Sequence, residues 1–158
     1  MTYALLKTVH VLSIVVWLGG MVFAHFFLRP ALVVLEPPAR LRLMHDVLGR
    51  FFQAVLVASL LTLVTGGWMI GQAASEVARS GGRFMMPSSW TVMATLGTAM
   101  FAIYLHIRFA LYRRLSASVN AGEWPRAGVA LGQIRRWVLV NLALGVVIVL
   151  ATLLRLPG

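Results

Sequence analysis

Residues 7–30 read KTVHVLSIVVWLGGMVFAHFFLRP, an apolar run that is interrupted by two histidines, His10 and His25. About 20 apolar residues, at a rise of roughly 1.5 Å per residue, span the hydrocarbon core of a bilayer. The run therefore predicts a transmembrane helix. Because ionisable side chains are costly in lipid, we expect the face of this helix that carries the histidines to point into protein.

Three more apolar runs of transmembrane length follow the first. Hydrophobic residues make up 60% of the chain and charged residues only 11%, proportions that are unlike those of a soluble domain. The sequence thus predicts an all-α membrane protein, a four-transmembrane-helix bundle that forms a single domain over residues 1–158. The predicted spans lie near residues 5–28, 50–71, 90–112 and 136–155.

The basic residues are divided unequally between the two sides of the membrane. Residues 29–50 and 113–136 together hold nine arginines, whereas the 72–89 loop and the two termini together hold four basic residues. The positive-inside rule places the arginine-rich loops in the cytoplasm, so both termini are expected on the periplasmic side of a bacterial inner membrane. The same rule explains the net charge of +10. The expected partner is therefore the lipid bilayer and not nucleic acid.

The residue types that are missing narrow the chemistry. The chain has no cysteine, so any metal must be held by histidine, methionine, carboxylate or backbone groups. All four acidic residues lie outside the predicted spans, which leaves no intramembrane carboxylate for a hard cation. The sequence also lacks a P-loop, an HExxH motif and a nucleophile elbow. These absences argue against ATP-driven pumping, zinc proteolysis and serine hydrolysis.

The depth of each residue along its span predicts a sulfur-rich outer layer. His10 is expected at the level of Met69 and Met93, below the loop pair Met85 and Met86. Imidazole and thioether groups are soft ligands that suit Cu(I). The alternative for each methionine is ordinary packing, because methionine is a common flexible filler of apolar bundles.

The positions of residues along their spans also predict a layer on the cytoplasmic side of the membrane, the inner layer, with one polar group from each helix. Its members are His25, Gln53, His106 and Asn141. Pairs of histidines, or a histidine with a methionine, also suit haem iron. The candidate axial ligands for haem are His10, His25 and His106. Trp17, Gln53 and Asn141 are expected to support whichever group is bound, while hydrogen-bonded packing is the alternative for the histidines.

Six short motifs point to a known family: KTVH at 7–10, WLGGM at 17–21, FLRP at 27–30, LEPP at 35–38, GRFF at 49–52 and TG at 65–66. Together they resemble the short bacterial CopD-like membrane proteins, the copper resistance D type. The resemblance covers the first half of the chain well and the second half mainly by hydropathy. Through the spacing of His10 and Trp17, the chain is also distantly similar to the HemJ-like membrane proteins, which are haem-associated protoporphyrinogen oxidases with four helices.

The CopD resemblance implies an inner-membrane protein that binds copper and handles it, with passage of copper across the membrane as one such role. His10 and the outer methionines would then form the copper site. The alternative is a b-type haem protein, which would use haem b for electron transfer or porphyrin oxidation. We expect an enzyme only in that case, and it would be a haem-dependent oxidoreductase. A third alternative is a scaffold without a ligand. We also expect a homo-oligomer and a periplasmic partner, either a copper carrier or an electron donor.

The charge asymmetry predicts the outcome of a topology experiment. A reporter that is active only in the periplasm, fused after Gly158, should be active, and a reporter that is active only in the cytoplasm should be silent at the same position. The opposite pattern in a folded fusion would reverse the assignment of the inner and outer layers.

Overall fold

Four long helices form the fold of the computed structural model, which describes residues 2–154. They are α1 (Thr2–Val34), α2 (Pro37–Arg79), α3 (Ser88–Asn120) and α4 (Trp124–Leu153). Each is long and apolar enough to cross a membrane, and the described residues contain no strand. The predicted all-helical architecture with four membrane-spanning helices is thus confirmed. Arg155, which ends the fourth predicted span, and Gly158 lie outside the described residues.

Proline and glycine set the ends of these helices. Pro37 and Pro125 each lie in the first turn of their helix, where the missing N–H has no intrahelical partner to lose. Gly81 and Gly122 follow the ends of α2 and α3 with φ of 74° and 69°, in the left-handed region that favours glycine. The short α1–α2 and α3–α4 connections lie at one end of the bundle, and we call it the arginine-rich end.

Two helices contain a π-helical turn, at Phe23–Leu28 in α1 and at Ile107–Leu111 in α3. Both turns lie toward the arginine-rich end. A π-helical turn inserts an extra residue into an α-helix, so it shifts which side chains face the neighbouring helices. His25 lies inside the first of these turns and Arg108 inside the second.

Helix α1 packs mainly along α2, and α3 packs mainly along α4. Glycine makes the closest approaches possible. A Cβ at Gly20 would overlap the ring of Phe51, and a Cβ at Gly145 would lie 3.0 Å from a methyl group of Leu18. Small residues serve this purpose in membrane bundles, where close van der Waals packing replaces the hydrophobic effect.

An aromatic cluster joins α1, α2 and α3 in the middle of the bundle. The edge of Trp17 meets the ring of Tyr104 at a centroid distance of 6.3 Å, and Tyr104 packs against Phe52 at the same distance. The Tyr104 hydroxyl donates to the carbonyl oxygen of Phe52 at 2.6 Å, so this buried phenol keeps a partner. All three side chains are at most 4% exposed.

A second connection, near the arginine-rich end, joins α2 to α3. His45 Nε2 lies 2.7 Å from the Ser116 hydroxyl, and the imidazole stacks on the ring of Tyr112 at 5.3 Å. The Tyr112 hydroxyl in turn donates to the backbone carbonyl of His45. His45 therefore has a structural role, and both its ring nitrogens have partners, since Nδ1 faces Asp46 at 3.0 Å.

Two neighbouring glycines of α1 predict opposite effects on stability. Gly20→Ala should destabilise the bundle by about 1–3 kcal/mol, because its methyl group would overlap the Phe51 ring. The matched control is Gly19→Ala, whose methyl group meets no atom within 4 Å and should stabilise α1 by roughly 0.5–1 kcal/mol. Thermal unfolding in detergent measures both. A Gly20→Ala protein as stable as Gly19→Ala would contradict this packing.

Candidate functional site

His10 lies buried between α1 and α2, with 8% of its surface exposed. Its Nδ1 atom is 3.1 Å from the hydroxyl oxygen of Thr65 on α2. The neighbouring residue Gly66 makes room for the ring, since a Cβ there would lie 3.1 Å from His10 Cε1. The pair Thr65-Gly66 thus forms the surface of α2 on which the imidazole rests.

The hydrogen bonds of Thr65 determine which nitrogen of His10 carries the proton. The Thr65 hydroxyl donates to the carbonyl oxygen of Leu61 at 2.6 Å, so its oxygen is left to accept from His10. The Nδ1 atom of His10 is therefore the protonated nitrogen. A neutral imidazole has one donor and one acceptor nitrogen, so Nε2 carries a free lone pair.

This Nε2 atom is buried and has no hydrogen-bond partner among the described residues. Leaving a buried polar atom unpaired costs about 1–3 kcal/mol. Metal-binding histidines use the same arrangement, in which one ring nitrogen donates to a neighbouring oxygen and thereby orients the other toward the metal. His10 therefore presents a preoriented nitrogen ligand inside the bundle.

The four outer methionines occupy different environments. Met69 is buried at 9% exposure and lies one helical turn from Thr65, on the same face of α2. Met86 and Met93 are half-buried, and Met85 is 78% exposed in the α2–α3 connection. Met69 lies on α2, and His10 contacts the same helix through Thr65. The structure places His10 against Thr65 and Gly66, one turn nearer the start of α2 than the depth arithmetic predicted.

The four residues predicted for the layer on the cytoplasmic side differ in burial. Asn141 is 1% exposed, and its Oδ1 has no partner among the described residues. Gln53 and His106 are exposed, and the His106 ring meets Trp137 at 5.5 Å. His25 is half-buried. Within residues 2–154 no three His, Asp or Glu side chains lie close enough to hold a metal ion.

The histidine positions do not support a bis-histidine haem site. His10 and His25 are fifteen residues apart on α1, a separation of roughly 22 Å along the axis, and His106 faces outward. Trp17 is buried against Tyr104, so it belongs to the aromatic core of the bundle.

A cavity of about 370 Å³ at the arginine-rich end was not predicted from the sequence. Arg29, Arg40 and Arg135 line it together with His25. From the sequence these arginines indicate only the topology, because they are far apart along the chain and nothing in it shows that they share a cavity. The partner of His10 was missed as well, although a hydroxyl residue beside a glycine in an apolar span was a usable signal for Thr65.

Comparison with known proteins agrees with the predicted resemblance. The chain matches the family of copper resistance protein D, CopD, over residues 45–154, which is more than half of its length. No curated protein and no solved structure matches it. The match includes Thr65, Gly66 and Met69 but begins after α1, so His10 lies outside it. With four helices that can each cross a membrane, the chain is a multi-pass membrane protein that belongs to the CopD copper-resistance family.

Proposed function

We propose that this protein binds Cu(I) within the membrane, at the end of the bundle opposite the arginine-rich end, and that copper is its cargo. The observation that carries the proposal is the buried lone pair of His10 Nε2, which has no partner among the described residues. The family match supports copper as the metal, and the geometry of His10 supports this residue as a ligand.

The chemistry of the surrounding residues suits a soft monovalent ion. Imidazole and thioether groups are neutral ligands that favour Cu(I), and none of them must lose a proton at neutral pH to bind it. Met69 is the first thioether candidate, because it is buried on the α2 face that His10 contacts. Met93, Met86 and Met85 are further candidates nearer the α2–α3 connection, of which Met85 is the most accessible.

A site of this kind can exchange its metal. A lone histidine with thioethers lacks the thiolates that hold metals most tightly, and a transported ion must leave its site as readily as it enters. The charge asymmetry supports a periplasmic position for this site in a bacterial inner membrane. We accordingly propose that a periplasmic copper carrier exchanges the ion with the exposed methionine loop, and that the protein works as a homo-oligomer.

The first test is the loss of the proposed nitrogen ligand. His10→Ala should weaken Cu(I) binding by more than about a hundredfold, because it removes the ligand itself, whereas loss of a positioning group costs roughly ten- to a hundredfold. Thr65→Val should fall in that smaller range, since it removes only the oxygen that orients the ring. Competition with a chromophoric Cu(I) chelator measures the affinity of each purified protein.

The matched control for this test is His45→Ala. His45 is the other histidine with a side-chain hydrogen bond to a neighbouring helix, and its nitrogens already have partners. It should bind Cu(I) like the unaltered protein, even if the bundle becomes less stable. Unchanged affinity in folded His10→Ala protein, or a Soret band in the purified unaltered protein, would contradict the proposal.

The second test separates the methionines. Changing Met69, Met85, Met86 and Met93 together to leucine should preserve the bundle, because leucine keeps the apolar volume, and should strongly weaken Cu(I) binding. Met69→Leu alone should account for more of this loss than Met85→Leu alone, since Met69 is buried on the helix that His10 contacts. Equal affinities for the quadruple variant and the unaltered protein would remove the methionines from the site.

A further inference from the structure

The cavity at the arginine-rich end lies between the end of α1, the start of α2 and the start of α4. Each of these helices contributes one arginine to it: Arg29, Arg40 and Arg135. Among the residues that the structure describes, no carboxylate lines the cavity. Among residues 2–154 the ion pairs are His45 with Asp46 and Arg126 with Glu123, so the three guanidinium groups have no acidic partner there.

Three positive charges that have no acidic partner among residues 2–154 create a positive potential around the cavity. The charges repel one another, and an anion between them would relieve that repulsion. The first turns of α2 and α4 also line the cavity, while their N-cap residues, Glu36 and Glu123, are not among its lining residues. The arginines are therefore the source of the positive potential, because the acidic N-cap residues offset the partial positive charge of these helix ends.

Another part of the cavity lining is apolar, and we call it the apolar wall. Leu41, Met44 and Leu48 of α2 line it with Ile134 and Val138 of α4. All five are buried side chains of the bundle core. A cavity that is lined by both guanidinium groups and apolar side chains is complementary to an amphiphile with an anionic head and a hydrocarbon tail. The volume of the cavity, about 370 Å³, is larger than a small inorganic anion needs.

We propose that this cavity binds one anionic phospholipid, with its phosphate among Arg29, Arg40 and Arg135 and the start of an acyl chain against the apolar wall. Basic pockets between membrane helices on the cytoplasmic side are suited to anionic headgroups, because the cytoplasmic leaflet is rich in them. The site lies at the opposite end of α1 from His10, so it does not depend on copper binding. The bound lipid would join α1, α2 and α4 at the end where two connections are only a few residues long.

The test measures retention of phosphatidylglycerol by the purified full chain, by native mass spectrometry from detergent micelles. The triple variant Arg29→Gln, Arg40→Gln and Arg135→Gln should bind this lipid at least tenfold more weakly than the unaltered protein. The matched control is Arg113→Gln, Arg114→Gln and Arg136→Gln, which removes the same charge from exposed positions outside the cavity. The control should bind like the unaltered protein. Equal losses in both triple variants would show general electrostatic attraction and overturn the proposal.

A second variant keeps every charge and blocks the cavity. Gly132 lines it, and a Cβ there meets no atom within 4 Å, so Gly132→Leu should place its side chain in the open space and support the helix. The matched control is Gly67→Leu, at an exposed glycine of α2 with equally open surroundings outside the cavity. Gly132→Leu should lose phosphatidylglycerol by at least tenfold, whereas Gly67→Leu should retain it. Full retention by Gly132→Leu would place the lipid elsewhere.

Competition identifies the source of the bound phosphate. Phosphatidylcholine, which is zwitterionic, should not displace phosphatidylglycerol, and inorganic phosphate at millimolar concentration should displace little of it because it makes no contact with the apolar wall. Complete displacement by inorganic phosphate would assign the cavity to a soluble anion. Equal binding of phosphatidylcholine would show that the arginines do not select an anionic headgroup. Either result would overturn the proposal.

Discussion

The constraint on which this structure depends is that the hydrocarbon core of a bilayer offers no hydrogen bonds, so each polar group inside it needs a partner from the protein. The four helices satisfy the backbone, and the Tyr104 hydroxyl and His10 Nδ1 find an oxygen on α2. Against this background the two buried atoms without a partner among the described residues, His10 Nε2 and Asn141 Oδ1, stand out. The histidine nitrogen is also a good metal ligand, and for this reason the proposed copper site is placed there.

The two ends of the bundle have opposite chemical character. The end with His10 and Met69 offers neutral, soft donors in an apolar setting, whereas the other end gathers guanidinium groups around a cavity. The proposed copper site and the proposed lipid site are therefore separate, toward opposite ends of α1. This separation also weakens the repulsion between the arginines and a cation at the His10 site, since the Coulomb energy falls with distance.

The family match supports a role in copper resistance, whereas the geometry supports His10 as the proposed ligand. The match over residues 45–154 connects the chain to copper resistance and includes the α2 surface on which the imidazole of His10 rests. It does not include α1, so the role of His10 depends on its burial, its bond to Thr65 and its free nitrogen. The site is thus shared between a helix inside the matched region and one outside it.

The sequence alone predicts the four long apolar helices, because the length and apolarity of a span follow directly from the residues that compose it. It also identified the family and the burial of His10 and Trp17. The tertiary structure was needed to show that Thr65 is the partner of His10. It was also needed to show that Gln53 and His106 face outward. The same holds for the cavity that is lined by Arg29, Arg40 and Arg135. The rotation of each helix about its axis decides these contacts. That rotation is set by packing, by glycines such as Gly20 and Gly66, and by π-helical turns, which depth along a span does not reveal.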